Sequence, residues 1–469
     1  MSGLLWTYPP PNDEREERMS KTDGLNRRAF LKNAGMTALL GSTVGTKSVL
    51  AAEVAGTESA PMKAEYDFDT VYSRFGTDSV KWDRARANFG DDIQVGMGIA
   101  DMDFRAAPCI AQALEERCKH ENWGYLARPD DYVEGIVAWN KRRYDLDIDP
   151  ESVVLATGVH PGLIATLKTF APPGTRVLLT TPTYNGFYGD VRASNTVAED
   201  SPMIEVNGKY SIDFDDFERR ARRCNAFLLC NPQNPTGNHW SPEDLTRMGE
   251  ICLEHNVVVL ADEIHCDFVM KGQTYTPFAS LPNREMVNNS LTFKAASKTF
   301  SLAAMKTAWF FSTNEDYLTR VQMNHRADLS TLGLVANHAA LTEGEDWLDQ
   351  LLVYIDDNHD FAQSYIREKM PQVKYTKAQG TYLGWLDVSE VVDMIGAKRT
   401  AAEESRTATN TVSPETIVQR WFAENAKVAL NPGSSYGTGG AGHMRMNLAT
   451  PRKLIELAVD NMSAALERI

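Results

Sequence analysis

Short apolar runs alternate with longer amphipathic segments along most of the chain after residue 65, and this alternation constrains the fold most strongly. Helical patterns such as SPEDLTRMGEICLEH (241–255) lie between the apolar runs, and here Ser241 suits the N-cap and Pro242 the first turn. Strands that alternate with helices predict an α/β fold built on βαβ units. The predicted strands are ESVVLAT (151–157), RVLLTT (176–181), NAFLLC (225–230), NVVVLA (256–261) and NSLTF (289–293).

The character of the chain changes near residue 350, where long amphipathic segments and a few short strands such as TYLGWLDV replace the regular alternation. The change predicts a large domain over 106–350 and a smaller α+β domain over 351–469, to which we assign the segment 56–105 as well. Within the smaller domain, a stretch rich in Ala, Thr and Glu (396–415) predicts a mobile surface insertion.

Composition excludes several classes of partner. The formal net charge of −15 argues against a nucleic-acid partner, because phosphate binding needs a basic face. No apolar run is long enough to span a bilayer as a mature helix, so we expect no stable membrane insertion. The cysteines form no closely spaced pair of the metal-binding type, so they predict buried free thiols and no metal site. They are Cys109, Cys118, Cys224, Cys230, Cys252 and Cys266.

The first 55 residues carry the features of an export signal. The stretch LNRRAFLKNAGMTALLGSTVGTKSVLAAE has adjacent Arg27 and Arg28, then a modest apolar region and a small-residue end. This order predicts a twin-arginine signal, passage through the bacterial twin-arginine translocase and a periplasmic or otherwise exported protein. An amphipathic N-terminal helix is the alternative. The prefix MSGLLWTYPPPNDEREER is unusual before a signal, so we hypothesise that Met19 and not Met1 is the start.

Chemically distinctive residues follow the predicted strands, at the edge of the sheet where open α/β folds bind ligands. They include a glycine turn before a helix, an aromatic ring, an amide, a carboxylate and a lysine. Such a set suits an aromatic, phosphorylated cofactor that bears a carbonyl group. The segments are Gly158-Val159-His160, Pro182-Thr183-Tyr184, Asn231 to Gly237, Asp262 to His265, and Lys294 to Lys298.

Each of these signals has a structural alternative when it is taken alone. The Gly158 turn at a helix N-terminus suits a phosphate, although many such turns contain glycine. Asp262 directly follows a buried strand and needs a cation such as a pyridinium nitrogen, yet an N-cap explains it equally well. Asn234 is also consistent with simple turn chemistry, and Tyr184 with a packed surface aromatic.

The motifs NPQNPTG, ADEIH, AASKTF and GHMRMN occur in this order, and with them the chain from about residue 66 onward resembles the class I/II aminotransferase superfamily of fold-type I pyridoxal-5′-phosphate enzymes. The resemblance implies a pyridoxal 5′-phosphate cofactor, a large domain with a mostly parallel sheet of the seven-stranded type flanked by helices, and a homodimer with a shared active site. More narrowly, several blocks are similar to MalY/PatB-type carbon–sulfur β-lyases. They are YDFDTVYSRFGTDSVKWD, IADMDFRAAPCI, WGYLARP, LLCNPQNPTG, ADEIHCDF, ASKTFSLAAMK and VALNPGSSYG.

The resemblance also implies roles around the cofactor ring. Lys298 would be the catalytic residue and would hold the cofactor as a Schiff base. Asp262 would pair with the pyridine nitrogen and keep it protonated. Asn234 would contact the phenolic oxygen together with His265, and would also take part in substrate binding. Tyr184 would stack on the ring.

Further implied roles concern the phosphate and the substrate. The amides of Gly158 and Val159, together with Lys306, would hold the phosphate, with Tyr125 reaching across a dimer interface. Arg445, in GHMRMN, would bind the α-carboxylate of an amino-acid substrate as a bidentate fork.

Two positions in KAASKTFSLAAMK (294–306) stand apart from these roles. Lys294 is interpreted as an ordinary surface charge at a strand end. Family members often carry a phosphate-binding serine three residues before the Schiff-base lysine, and here that position is Ala295. Hydroxyl groups such as those of Thr157 and Ser297 are candidates to replace it.

The implied activity is β-elimination from cystathionine or a related cysteine S-conjugate, which yields a thiol, pyruvate and ammonia. An aminotransferase acting on an unidentified amino acid is the alternative, because both reactions share the same core residues. A non-catalytic, cofactor-binding regulator is a third reading. The complete set of Lys298, Asp262, Asn234 and Arg445 favours catalysis.

Overall fold

The computed structural model describes residues 65–469, so the predicted export signal lies outside the described residues. The described residues form one compact unit, and the domain boundaries predicted at 105/106 and 350/351 stay predictions. The strands are β1 (Val95–Gly96), β2 (Val154–Ala156), β3 (Arg176–Thr181), β4 (Val197–Pro202), β5 (Ile204–Val206), β6 (Lys209–Ser211), β7 (Cys224–Cys230), β8 (Val258–Asp262), β9 (Ser290–Lys294), β10 (Ala308–Phe311), β11 (Lys374–Tyr375), β12 (Leu383–Asp387), β13 (Val428–Ala429), β14 (Asn431–Pro432) and β15 (His443–Asn447).

Helices separate most of these strands. They are α1 (Asp83–Phe89), α2 (Pro108–Cys118), α3 (Asp130–Tyr144), α4 (Val159–Phe170), α5 (Gly186–Ala193), α6 (Phe214–Ala221), α7 (Pro242–Glu254), α8 (Arg284–Asn288), α9 (Ala296–Thr299), α10 (Glu315–Gln322), α11 (Thr331–Glu343), α12 (Glu345–Lys369), α13 (Ser389–Met394), α14 (Ala397–Ser405), α15 (Pro414–Ala426) and α16 (Arg452–Leu466). Short 3-10 turns cover Pro150–Ser152, Phe278–Ser280, Ala303–Met305 and Gly433–Tyr436.

A seven-stranded sheet organises the larger part of the molecule, in the order β2-β10-β9-β8-β7-β3-β4. All its pairings are parallel except those of β10, which runs antiparallel to both β2 and β9. The α/β fold with a mostly parallel sheet is therefore confirmed. Each of the five predicted strands is present, although β2 is shorter than expected because a 3-10 turn occupies its first part. β4 and β10 were not predicted.

The central strands are apolar throughout because helices cover both faces of the sheet. In β7, Phe227 and Leu229 pack into the core on one face, whereas Ala226 and Leu228 pack into the core on the other. This alternation follows from the two-residue period of a strand. The helix predicted over 241–255 is α7, whose N-cap Ser241 side chain accepts a hydrogen bond from the Asp244 amide.

A four-stranded antiparallel sheet, in the order β11-β12-β15-β14, lies in the C-terminal part of the chain. Its core is formed with residues of α12, α15 and α16. The expected surface insertion (396–415) is only partly an exposed segment. Residues 397–405 form α14, whose Ala397 and Ala401 side chains are buried, whereas residues 406–411 are exposed.

The expectation that Lys294 is an ordinary surface charge is wrong, because this residue is buried. The residue is 2% exposed at the end of β9, an interior strand between β8 and β10. Lys294 Nζ donates to Asn140 Oδ1 at 3.0 Å, lies 3.5 Å from Glu263 Oε2 and sits 4.1 Å from the Tyr144 ring centroid. An acidic partner from the ADEIH motif therefore compensates the buried charge.

All six cysteines are free thiols. The prediction of burial is correct for Cys224, Cys230, Cys252 and Cys266, but Cys118 is exposed and Cys109 is half-buried. Among residues 65–469, no group of three or more His, Cys, Asp or Glu side chains is arranged to hold a metal ion. Within the same range, no helix combines the length and apolar character that a bilayer crossing requires.

Candidate active site

The carboxyl ends of the parallel strands open into a cavity of about 680 Å³. Because parallel strands end at the same edge of a sheet, this is where ligands bind in open α/β folds. Eight of the residues predicted from the sequence line this cavity together. They are Gly158, Val159, Tyr184, Asn234, Asp262, His265, Lys298 and Lys306.

Lys298 projects into the cavity from α9, a single helical turn that directly follows β9. Its Nζ donates a hydrogen bond to the Ala100 carbonyl oxygen at 2.8 Å, and the Tyr382 hydroxyl donates to the same oxygen at 3.0 Å. Burial, together with the positive charge of Arg445, lowers the pKa of Lys298 to about 8. A substantial fraction of this amine is therefore neutral, and nucleophilic, near physiological pH.

Asp262 is the last residue of β8 and is buried at the floor of the cavity. Its Oδ1 accepts a hydrogen bond from the Ile264 amide at 3.1 Å, so a local turn contact does exist, but no helix begins there. Burial raises the pKa of Asp262 to about 7, against the opposing effects of the Ile264 amide and the His160 charge. In the described part of the chain, no cation forms a direct ion pair with this carboxylate.

Arg445 reaches the site from β15 of the smaller sheet, and its side chain is buried. Its Nη1 donates to Asn234 Oδ1 at 3.1 Å, and its Nη2 donates to the Gly98 carbonyl oxygen at 2.6 Å. Its guanidinium carbon lies 5.1 Å from the Tyr436 ring centroid. Among residues 65–469, no hydrogen-bond partner reaches Arg445 Nε. The guanidinium is therefore held in place and keeps donor capacity for an anion.

His265 follows Asp262 by three residues and is buried in the same wall. Burial lowers the pKa of His265 well below its usual value, and the charges of Lys298 and Arg445 act in the same direction. The imidazole is thus neutral at physiological pH. Its Nδ1 has no hydrogen-bond partner within the described residues. A buried polar atom without a partner is rare and points to a missing ligand group.

The N-terminus of α4 and the region around Lys306 form the other end of the cavity. Gly158 is the N-cap of α4, so backbone N–H groups at the start of that helix are free for an anion. Lys306 is exposed, and within residues 65–469 no hydrogen bond or ion pair holds its side chain elsewhere. Thr157 and Ser297 also line this end. Ala295, the N-cap of α9, contributes no side-chain hydrogen bond.

Tyr125 lies outside this cavity in the single chain. It is fully exposed, next to the exposed Trp123 and Leu126, and lines a separate cavity of about 1160 Å³. A role at the site of the same chain is therefore not supported by its position. The predicted role across a dimer interface stays a prediction.

The sequence patterns assigned no role to the segment 98–101, which the structure places against Lys298 and Arg445 through its carbonyl oxygens. Asn447 fixes this segment, since its Nδ2 donates to the carbonyls of Ile99 and Asp101. The block IADMDF was visible in the sequence, but backbone acceptors leave no signature in side-chain chemistry. His160 was also without a predicted role, although it lines the cavity beside Tyr184.

Comparisons with known proteins identify the family of the chain. The model of the family "Aminotransferase class I and II" matches residues 92–462. Cystathionine beta-lyase PatB of Bacillus subtilis (strain 168) is 34% identical, with 85% of this chain and all of PatB covered. Among solved structures, cystalysin from Treponema denticola matches with a TM-score of 0.78 and 27% identity, covering 86% of this chain and 100% of cystalysin. The C-S lyase from Staphylococcus hominis matches with a TM-score of 0.76 and 28% identity, covering 86% and 98%. The chain belongs to the class I and II aminotransferase family.

Proposed function

We propose that this protein is a pyridoxal-5′-phosphate-dependent carbon–sulfur β-lyase that acts on cystathionine or a related cysteine S-conjugate. The observation that carries the proposal is the placement of Lys298 and Asp262 in one cavity. Lys298 is an amine of lowered pKa, and Asp262 is a buried carboxylate that lacks a paired cation. An aldehyde and a protonated pyridine nitrogen satisfy both needs at once.

The other residues of the cavity fit the same cofactor. The free amides at the start of α4 and the Lys306 ammonium suit a phosphate. The unpartnered His265 Nδ1 suits the phenolic oxygen, and the Tyr184 ring lies in the wall as a stacking surface. The cavity volume of about 680 Å³ is within the usual range for a small-molecule site.

The cofactor supplies an electron-accepting ring that stabilises negative charge at the substrate Cα. The protein's own residues do the rest. Arg445 binds the α-carboxylate with the guanidinium donors that the protein leaves unused, and Asn234 fixes the guanidinium plane. Lys298 Nζ removes the Cα proton. Asp262 keeps the pyridine nitrogen protonated, because a cation placed against it brings its pKa down again.

The reaction breaks the Cβ–S bond of the substrate. For cystathionine, the sulfur leaves as the thiol of homocysteine, and the released 2-aminoacrylate takes up water to give pyruvate and ammonia. β-Elimination is favoured over amino transfer by the relatives, since PatB is named a cystathionine beta-lyase and the Staphylococcus hominis protein is a PLP-bound C-S lyase.

A substrate assay tests the reaction. Purified protein loaded with pyridoxal 5′-phosphate is given cystathionine, with and without a 2-keto acid, and pyruvate, ammonia and thiol are measured together. We expect the three products in equal amounts without the keto acid. Amino transfer that depends on the keto acid, with no thiol release, would instead identify an aminotransferase.

Substitutions at two lysines test the attachment of the cofactor. We expect Lys298→Ala to abolish both the visible absorbance band of the bound cofactor and the release of pyruvate. Lys168→Ala, at an exposed position of α4, is the matched control and should change neither. A Lys298→Ala protein that keeps the band and the activity would refute the assignment. A band without any turnover in the wild-type protein would favour a cofactor-binding regulator.

We also propose a homodimer in which Tyr125 of each protomer completes the phosphate site of its partner. The proposal is supported by the exposure of Tyr125 beside the apolar Trp123 and Leu126. Mixing Tyr125→Ala with Lys298→Ala tests it, because a mixed dimer contains one site with both residues intact. We expect the mixture to recover activity that neither variant has alone. No recovery in a confirmed mixed dimer would refute the shared site.

Export is the last part of the proposal. The paired Arg27 and Arg28, followed by a modest apolar region, support recognition by the twin-arginine translocase. Replacing both arginines by lysine should retain the protein in the cytoplasm, as measured by cell fractionation. Unchanged periplasmic recovery of that variant would contradict the proposal, and peptides from residues 1–18 in cell extracts would contradict a start at Met19.

A further inference from the structure

His160 stands out in the cavity wall because both nitrogens of its ring have partners. It is the second residue of α4. Its Nδ1 lies 2.7 Å from Asp190 Oδ2, and its Nε2 lies 3.2 Å from the Tyr184 hydroxyl oxygen. Asp190 is 4% exposed, so its carboxylate is a fixed group of α5 and not a mobile surface charge. The imidazole is therefore held in one orientation between a carboxylate and a phenol.

The packing around these rings is tight. The ring centroids of His160 and Tyr184 are 5.5 Å apart, with an angle of 36° between the planes. A Cβ atom at Gly186 would lie 2.5 Å from Tyr184 Cε1 and 2.7 Å from His160 Cε1. Only glycine leaves this space to the two rings. The position of Tyr184 in the cavity is thus linked to that of His160.

His160 also interacts electrostatically with other groups of the site. The titratable groups that face it are Asp190 on α5, Tyr184 before α5, Asp262 at the end of β8 and Lys298 on α9. The hydrogen bond with Asp190 raises the pKa of His160, which favours the imidazolium. The imidazolium donates from both nitrogens. His160 and Asp262 line the same cavity, and the positive charge of His160 lowers the pKa of Asp262 by more than the negative charge of Asp190 raises it.

We propose that His160, held by Asp190, is a positioning residue that orients Tyr184 against the cofactor ring and keeps Asp262 ionised toward the pyridine nitrogen. This inference rests on the proposed function, because both actions need pyridoxal 5′-phosphate in the cavity. His160 itself does not have to touch the substrate or the reacting atoms. It acts through Tyr184 and Asp262.

The test measures binding and not turnover. In a Lys298→Ala background the cofactor binds without a covalent bond, so its dissociation constant reports the site alone. We expect His160→Gln to weaken pyridoxal 5′-phosphate binding about tenfold at neutral pH, the effect of one charge acting across a partly buried site. Asp190→Asn should act in the same direction but more weakly. His160 then loses the carboxylate that favours its charged form, whereas Asp262 is relieved of the negative charge of Asp190, which raises its pKa. His255→Gln, on a histidine that does not line the cavity, is the matched control and should change nothing.

Two further measurements separate the effect of His160 on the orientation of Tyr184 from the effect of the His160 charge on Asp262. Tyr184→Phe removes the hydroxyl that His160 contacts and leaves the His160 charge in place, so we expect a smaller loss than with His160→Gln. An analogue with carbon in place of the pyridine nitrogen gives Asp262 nothing to pair with. For that analogue the difference between the parent and His160→Gln should nearly vanish, and a tenfold difference that persists would overturn the charge effect.

The ratio of the dissociation constants of His160→Gln and its parent should depend on pH. Below the raised pKa of His160 the imidazolium is present, so the ratio of the two dissociation constants should be large. It should fall toward one as the pH rises and His160 loses its proton. Equal affinities of parent and His160→Gln at every pH would overturn the inference and leave the proposed function intact. Failure of wild-type protein to bind the cofactor would refute the proposed function itself. If His160→Gln does not fold, the near-isosteric Asp190→Asn decides by the same criteria.

Discussion

The burial of Asp262 should make the cofactor-free protein less stable when this carboxylate is ionised, although cofactor binding needs the ionised form. This conflict can be measured. Burial raises its pKa from an ordinary 3.8 to about 7 in the protein without cofactor. A group whose pKa is raised by folding stabilises the folded state fully below its unfolded pKa, and this contribution is lost as the pH rises through the folded value. The difference of about three pKa units, at about 1.4 kcal/mol each, corresponds to at most about 4 kcal/mol. The cofactor-free protein therefore loses this stability between about pH 4 and pH 7.

Asp262→Asn removes the charge and keeps an oxygen that can accept the hydrogen bond from the Ile264 amide. We expect the cofactor-free variant to be more stable than cofactor-free wild type at pH 8, by about 1–4 kcal/mol, and nearly equal to it at pH 4. Urea denaturation of both proteins at the two pH values measures the difference. With pyridoxal 5′-phosphate added, wild type should gain stability and the variant should gain much less, because the neutral amide cannot pair with a pyridinium.

The reasoning would be refuted by a cofactor-free Asp262→Asn protein that is no more stable than wild type at pH 8. Such a result would mean that the carboxylate is already compensated without the cofactor. Asp244→Asn, at the partly exposed start of α7 and outside the cavity, is the control and should not reproduce the stabilisation expected of Asp262→Asn.

Three other predictions follow from the contacts of the site. Arg445→Lys keeps the charge but loses the planar fork, so we expect the KM for cystathionine to rise about tenfold with a smaller change in kcat; an unchanged KM would place the carboxylate elsewhere. Lys294→Met leaves Glu263 buried without its cation and should lower the free energy of unfolding by about 3–5 kcal/mol in urea titrations. The double variant Lys294→Met/Glu263→Gln should recover part of this loss. If the single and double variants are equally destabilised, the pairing of Lys294 with Glu263 is contradicted. Borohydride reduction of the cofactor-free protein mixed with pyridoxal 5′-phosphate at pH 8 should label Lys298 before the exposed Lys168, because its lowered pKa leaves more neutral amine; peptide mass spectrometry would reveal equal labelling if this is wrong.

The parallel core of the fold could be predicted because its strands are apolar along their whole length. β3 begins and ends at the predicted residues, and β7, β8 and β9 differ from the predicted ranges by one or two. β4, with the sequence VAEDSP, was not predicted because it lies at the edge of the sheet and carries acidic residues. Its Glu199 is buried only through ion pairs with arginines that are distant in sequence.

The candidate site was predictable where chemistry depends on side chains that follow strands. Lys298 and Asn234 follow two strands, Asp262 ends a third, and the three side chains meet in one cavity, as their positions in the chain predicted. Lys294 was misjudged, because its burial depends on Asn140 and Glu263, which no local pattern connects to it. The contacts of the segment 98–101 could not be predicted either, since they use carbonyl oxygens that every residue has.

The carbonyl groups of the segment 98–101 also determine when the site can form during synthesis. Asn447 reaches Ile99 across 348 positions of the chain, and Lys298 reaches Ala100 across 198. A nascent chain therefore carries Lys298 for some time before β15 has left the ribosome, and in that period the amine lacks the surroundings that set its reactivity. The complete set of contacts around Lys298 can therefore form only after residue 447 has been synthesised.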